Sequence, residues 1–83
     1  MTDFIEAPTR DGVFCFDGRL LELFAMDGSS RFHPSLLPEL WIDGEFLYCR
    51  RRDIKTMPWI FADSQRPQIE RLVQAVMAVR TPS

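Results

Sequence analysis

The chain has 83 residues, of which 46% are hydrophobic and 27% charged, and its net charge is −2. It is too apolar for a disordered chain, too weakly charged to be drawn as a whole onto nucleic acid or an anionic membrane, and lacks the run of about 18 apolar residues that a membrane helix needs. Cys15 and Cys49 are its two thiols, too few for a disulfide scaffold, and Met1-Thr2-Asp3-Phe4 opens without a basic stretch leading to an apolar one, so the expectation is a reduced, cytoplasmic protein.

No repeat, low-complexity tract or long linker divides the sequence, and residues 1–83 read as a single domain. Residues 1–10, through Phe4-Ile5, read as an additional edge strand or an arm. Asp17-Gly18 separates Val13-Phe14-Cys15-Phe16 from a second apolar run, Arg19 to Phe24, which is a hairpin signal. A two-residue loop there places Phe16 opposite Arg19, Cys15 opposite Leu20, Phe14 opposite Leu21 and Val13 opposite Glu22. One face then carries Phe14, Phe16, Leu21 and Leu23; the other, more mixed, carries Val13, Cys15, Leu20, Glu22 and Phe24. Asp27-Gly28-Ser29-Ser30 reads as a loop leading into a short extended piece, Arg31-Phe32-His33. Pro34 and Pro38 limit Ser35-Leu36-Leu37 to a turn or a single helical turn.

A second Asp-Gly pair, Asp43-Gly44, separates Glu39-Leu40-Trp41-Ile42 from Glu45 to Arg50. The same arithmetic opposes Trp41 to Phe46, Leu40 to Leu47 and Glu39 to Tyr48, with both faces apolar, as in strands covered on two sides or curled into a barrel. After a loop through Ile54-Lys55-Thr56, Met57 to Ala62 reads as a last strand, with Pro58 confining its start to an edge. The helix that follows is the clearest element. Asp63 or Ser64 is the expected N-cap and Pro67 lies in the first turn. Ile69, Leu72, Val73, Val76 and Met77 form one stripe at helical spacing, and Thr81-Pro82 is the stop.

Strands first and a helix last is the α+β order: roughly six to seven antiparallel strands, as a strongly bent sheet or partly open barrel, with one C-terminal amphipathic helix. In this order of elements, from the Val13–Arg19 hairpin through Arg31-Phe32-His33-Pro34 and the second hairpin to the Gln65–Val79 helix, the sequence resembles the small bacterial pleckstrin-homology-like (PH-like) domains. The resemblance covers most of the chain, from about Val13 to Arg80. It implies a bent sheet or partly closed barrel plugged by the helix, and a role in binding phosphoinositides, peptides or proteins, generally not catalysis. Lipid-binding members carry several Lys and Arg around the first hairpin loop; this sequence has Arg19 there beside Asp17, and no Lys.

Nothing in the sequence has the spacing of catalytic or metal chemistry. His33 stands alone beside Pro34, Cys15 and Cys49 form no CxxC, and Asp11, Asp17, Asp27 and Asp43 precede glycines, where turn chemistry accounts for them. The expectation is a protein that is not an enzyme, with no cofactor and no metal. Arg50, Arg51, Arg52 and Lys55 stand out. Arginine forks suit phosphate or carboxylate, while the plainer reading is a charged strand edge with Glu39, Glu45 or Asp53 as partners. Trp41 and Trp59 read as core residues first and partner anchors second. Leu20 and Phe24 mark a candidate interface if nothing covers their face. The leading expectation is therefore a protein-interaction or self-association domain, with a protein partner or a homodimer and no nucleic acid, its contact surface an exposed sheet edge or the mixed face of the first hairpin. The alternative is a module binding an anion or an acidic lipid headgroup through the arginine cluster.

Overall fold

A computed structural model describes residues 4–26, 28–50 and 57–80. The strands are β1 (Ile5–Pro8), β2 (Gly12–Phe16), β3 (Leu21–Ala25), β4 (Gly28–Phe32), β5 (Glu39–Asp43), β6 (Phe46–Arg50) and β7 (Met57–Ile60), followed by helix α1 (Arg66–Val79). They form two antiparallel sheets, β1-β2-β3-β4 and β5-β6-β7. The α+β class holds, resolved into a four-stranded and a three-stranded sheet, and Ile5–Pro8 is an edge strand paired with β2. The 3-10 turn Pro34–Leu36 joins the sheets, as the bracketing prolines require.

Both hairpins form, each in a register shifted by two from a loop centred on Asp-Gly. In the first, Phe16 lies opposite Leu21, Phe14 opposite Leu23 and Val13 opposite Phe24. The Asp17 side chain causes the shift: its Oδ1 accepts the N–H groups of Arg19 and Leu20 at 2.9 and 2.7 Å. That closes a longer loop in which the carboxylate replaces a backbone acceptor. In the second, Asp43 lies opposite Phe46 and Trp41 opposite Tyr48, so the turn residues are Gly44 and Glu45, and Gly44 takes the positive φ of +63°. A slip of two keeps every side chain on its face. Phe14, Phe16, Leu21 and Leu23 therefore reach the core as expected.

Gly28-Ser29-Ser30 is strand, not loop: Leu23 pairs with Ser30, Phe24 with Ser29 and Ala25 with Gly28. The composition of this segment misleads because an edge strand takes its order from the neighbour it pairs with, not from its own apolar content. Asp27 and the Ile54-Lys55-Thr56 loop lie outside the described residues.

The helix packs mainly against β1 and β5, one strand from each sheet. Ile69, Leu72 and Val76 are fully buried, each worth ~1.5–3 kcal/mol of apolar transfer. Val73 packs against the same core, and the Met77 sulfur accepts the Leu40 N–H at 3.5 Å. The helix entry differs from expectation. Neither Asp63 nor Ser64 caps it; the chain enters through a 3-10 turn, Asp63–Gln65, and Gln65 Oε1 accepts the Ala62 N–H at 2.8 Å. A long amide reaching backwards does what a short capping side chain would otherwise do. The last helical turn is tied by Arg80, whose Nε donates to the Leu37 carbonyl at 3.2 Å. The expected Thr81-Pro82 stop lies outside the described residues. This helix is not long and apolar enough to cross a membrane.

The sheets meet at a corner. The Arg10 N–H, in the β1–β2 turn, donates to the Ile60 carbonyl of β7 at 2.8 Å. Trp59 stands edge-on to Phe14, ring centroids 5.4 Å apart. Gly12 makes this approach possible, since a Cβ there would meet the Phe24 carbonyl at 2.8 Å and Trp59 Cζ3 at 3.2 Å.

Candidate functional site

Of the basic cluster, Arg50 falls within the described residues; Arg51, Arg52 and Lys55 lie outside them. Arg50 ends β6 directly opposite Glu39, and its guanidinium pairs with that carboxylate while lying 5.8 Å from the Trp41 ring centroid. Trp41 in turn stacks on Tyr48 at 5.4 Å and 11°. Arg50, Trp41 and Tyr48 thus form a closed ladder on the outer face of the second sheet, and an anion reaching Arg50 competes with Glu39. Trp59 is the tryptophan that packs against the core; Trp41 is half-buried outside it. Strand alternation separates the two, because Leu40, Ile42, Leu47 and Cys49 take the inner face.

Leu20 sits half-buried in the first hairpin loop, whereas Phe24 is 46% exposed on the outer face of the first sheet. Cys15 and Cys49 are buried in different sheets. Burial, and then the neighbouring charges of Glu6 and Glu22, push the Cys15 thiol up from its ordinary range, so it is a poor nucleophile. His33 is exposed ahead of the 3-10 turn, where its carbonyl accepts the Leu36 N–H.

The feature that sequence reasoning left as one option among several is a sheet edge. Antiparallel strands alternate between residues bonded to one neighbour and residues bonded to the other. Thr9 donates to the Gly12 carbonyl at 2.7 Å, which makes Ala7–Phe14 and Ile5–Phe16 the bonded pairs of β1 and β2 and leaves Glu6 and Pro8 facing outward on β1. Carried through the registers of β2–β3 and β3–β4, the alternation turns the backbones of Gly28, Ser30 and Phe32 toward β3. The N–H and C=O groups of Ser29 and Arg31 point away from the sheet.

The same procedure starts in the second sheet from the Phe61 N–H on the Glu45 carbonyl and faces Leu40 and Ile42 outward on β5 and Pro58 and Ile60 outward on β7. The observed Leu40–Met77 contact agrees with it. Each of these edges has at least one closure along its length. Helix α1 packs on β1 and β5, Pro8 has no N–H to offer, and Met77 takes that of Leu40. On β7, Pro58 again lacks a donor and the Ile60 carbonyl is held by Arg10. Among the described residues, β4 has no such closure: Ser29 and Arg31 are exposed, and no hydrogen bond engages their backbones on the outer side. The Arg31 guanidinium, the one charge on β4, is drawn back to Glu22 at 3.2 Å.

Comparisons of the chain with known protein families, with curated proteins and with solved structures returned no match.

Proposed function

We propose that this chain is a non-enzymatic interaction domain of the PH-like kind that engages a protein partner by strand pairing along β4. One observation carries the reading: among the described residues, no proline, helix or hydrogen bond closes any part of the outward edge of β4, whereas β1, β5 and β7 each have such a closure over part of theirs. Proteins generally guard long strand edges, because an unguarded edge is a template for another strand. Strand addition recruits a partner through main-chain hydrogen bonds and needs no cleft. The PH-like assignment is supported by the four-plus-three strand arrangement and by the helix packed on both sheets. The buried thiols fit a reducing, cytoplasmic setting. The anion-binding alternative leans on Arg50, which Glu39 and Trp41 already occupy.

The test is a titration of dilute, 15N-labelled protein with an acetylated, amidated peptide of the β4 sequence, Gly-Ser-Ser-Arg-Phe. Pairing is expected to shift the amide resonances of Ser29 and Arg31 before any others. Saturating peptide that leaves both amides in place would refute strand addition at this edge.

A further inference from the structure

Resting on that reading, we infer that the strand that pairs with β4 is the β4 of a second copy, in an antiparallel register centred on Ser30. Two residues face outward, Ser29 and Arg31, each presenting one donor and one acceptor. A twofold axis through Ser30 sets Ser29 against Arg31 of the other copy, and Arg31 against its Ser29. All four outward donors and acceptors are then satisfied in four bonds. An antiparallel register displaced by one residue sets outward groups against inward ones, and one displaced by two leaves part of the set unpaired. The edge is self-complementary, as a twofold interface requires.

The side chains permit the approach. Glu22 holds each Arg31, so the two copies do not bring bare like charges together. Ser29 is small and pairs with the exposed Phe24. The outer face therefore continues across the axis as a row of Phe24, Ser29, Arg31 of the other copy and its Glu22. Phe24 gains an arginine stem as a neighbour, which gives the exposed ring a role at the interface. A five-residue strand covers less than the ~800 Å² per partner of a standard interface, so the dimer is weak and concentration-dependent. Because main-chain bonds rather than exposed charges hold it, added salt leaves it in place.

The experiment is a disulfide trap in the full chain. Ser30 faces its own copy as a non-hydrogen-bonded pair, with Cα atoms about 4.5 Å apart, inside the span a disulfide bridges. Ser30→Cys is expected to cross-link in a glutathione redox buffer at least tenfold faster than Ser64→Cys, an exposed position in the turn before the helix that reports random collision. Added to Ser30→Cys, Ser29→Lys places a like charge against Arg31 of the other copy and slows cross-linking, and Ser29→Glu speeds it at low salt. Equal rates for Ser30→Cys and Ser64→Cys, or indifference to the charge at position 29, overturns the inference. If the trap fails while the peptide still shifts Ser29 and Arg31, the edge accepts a free strand but not the β4 of a second folded copy, and dimerisation falls alone. If the peptide fails as well, strand addition falls with it.

Discussion

Replacing Gly12 by alanine adds one methyl group at the point where the sheets meet. The new Cβ would stand 2.8 Å from the Phe24 carbonyl, 3.2 Å from Trp59 Cζ3 and 3.4 Å from Leu23 Cδ1. The carbonyl is held in the β2–β3 ladder and the Trp59 ring is pinned against Phe14, so neither neighbour yields cheaply. Overpacking of this kind costs about 1–3 kcal/mol, and the gain from stiffening the unfolded chain offsets about 0.4–1 kcal/mol of it. A net loss of ~1–2 kcal/mol lowers the melting temperature of a domain this size by roughly 4–16 °C. Circular dichroism melts of wild type and Gly12→Ala give the shift, and a changed native tryptophan emission would place the disturbance at Trp59. The contrast is Gly44→Asn. Gly44 has open space around it and is glycine for its φ of +63°, which asparagine tolerates, so this variant should melt close to wild type. A Gly12→Ala protein as stable as wild type would refute the claim that this corner is packed to contact.

Two further outcomes follow from titrating groups. The N–H groups of Leu20 and then Arg19 hold the Asp17 carboxyl below its ordinary value of 3.8, so its contribution to stability is present above that pH and is lost as pH falls through the lower folded-state value. Urea melts at a series of pH values should show wild type ahead of Asp17→Asn near neutrality, with the gap closing from about pH 4 downward; a constant gap would mean the carboxylate charge does not anchor the loop. Cys15, with its thiol pushed up by burial and by Glu6 and Glu22, should alkylate with iodoacetamide at pH 8 at least tenfold more slowly in the native than in the urea-unfolded protein, and Glu22→Gln should speed the native reaction modestly. Equal rates in native and unfolded protein would contradict its burial.

What could be read from the residues was whatever a short period or a local turn encodes. The spacing of Ile69, Leu72, Val73, Val76 and Met77 located the helix face because a 3.6-residue period is independent of what packs against it. The alternation around each Asp-Gly located the hairpins and assigned the faces, and the faces survived a register error of two because side-chain direction repeats every two residues. The register itself was not legible, since Asp17 could close its loop through a side-chain oxygen and Gly44 could serve as the first turn residue instead of the second. The strand character of Gly28–Ser30 is borrowed from Leu23 and Phe24 across the ladder. The β4 edge was legible only as a category, because its openness is a comparison: Pro8, Pro58, Arg10 and Met77 must be placed at the other edges before β4 stands out.

The Arg10–Ile60 bond also sets an order of events for a chain made from its N-terminus. The first four strands each pair with the strand just before or after, so that sheet can zip through local contacts. Its corner is fastened only when residues 59 and 60 arrive, and its inner face is covered only when the helix beyond them docks on β1. Loop-closure entropy is lowest for the early hairpins and highest for these last joins. On the ribosome the Phe14 ring would wait for about half the length of the chain to be made before Trp59 reaches it. The short, polar composition of β4 is an asset during that wait, since the edge open longest is also the one least prone to indiscriminate apolar association.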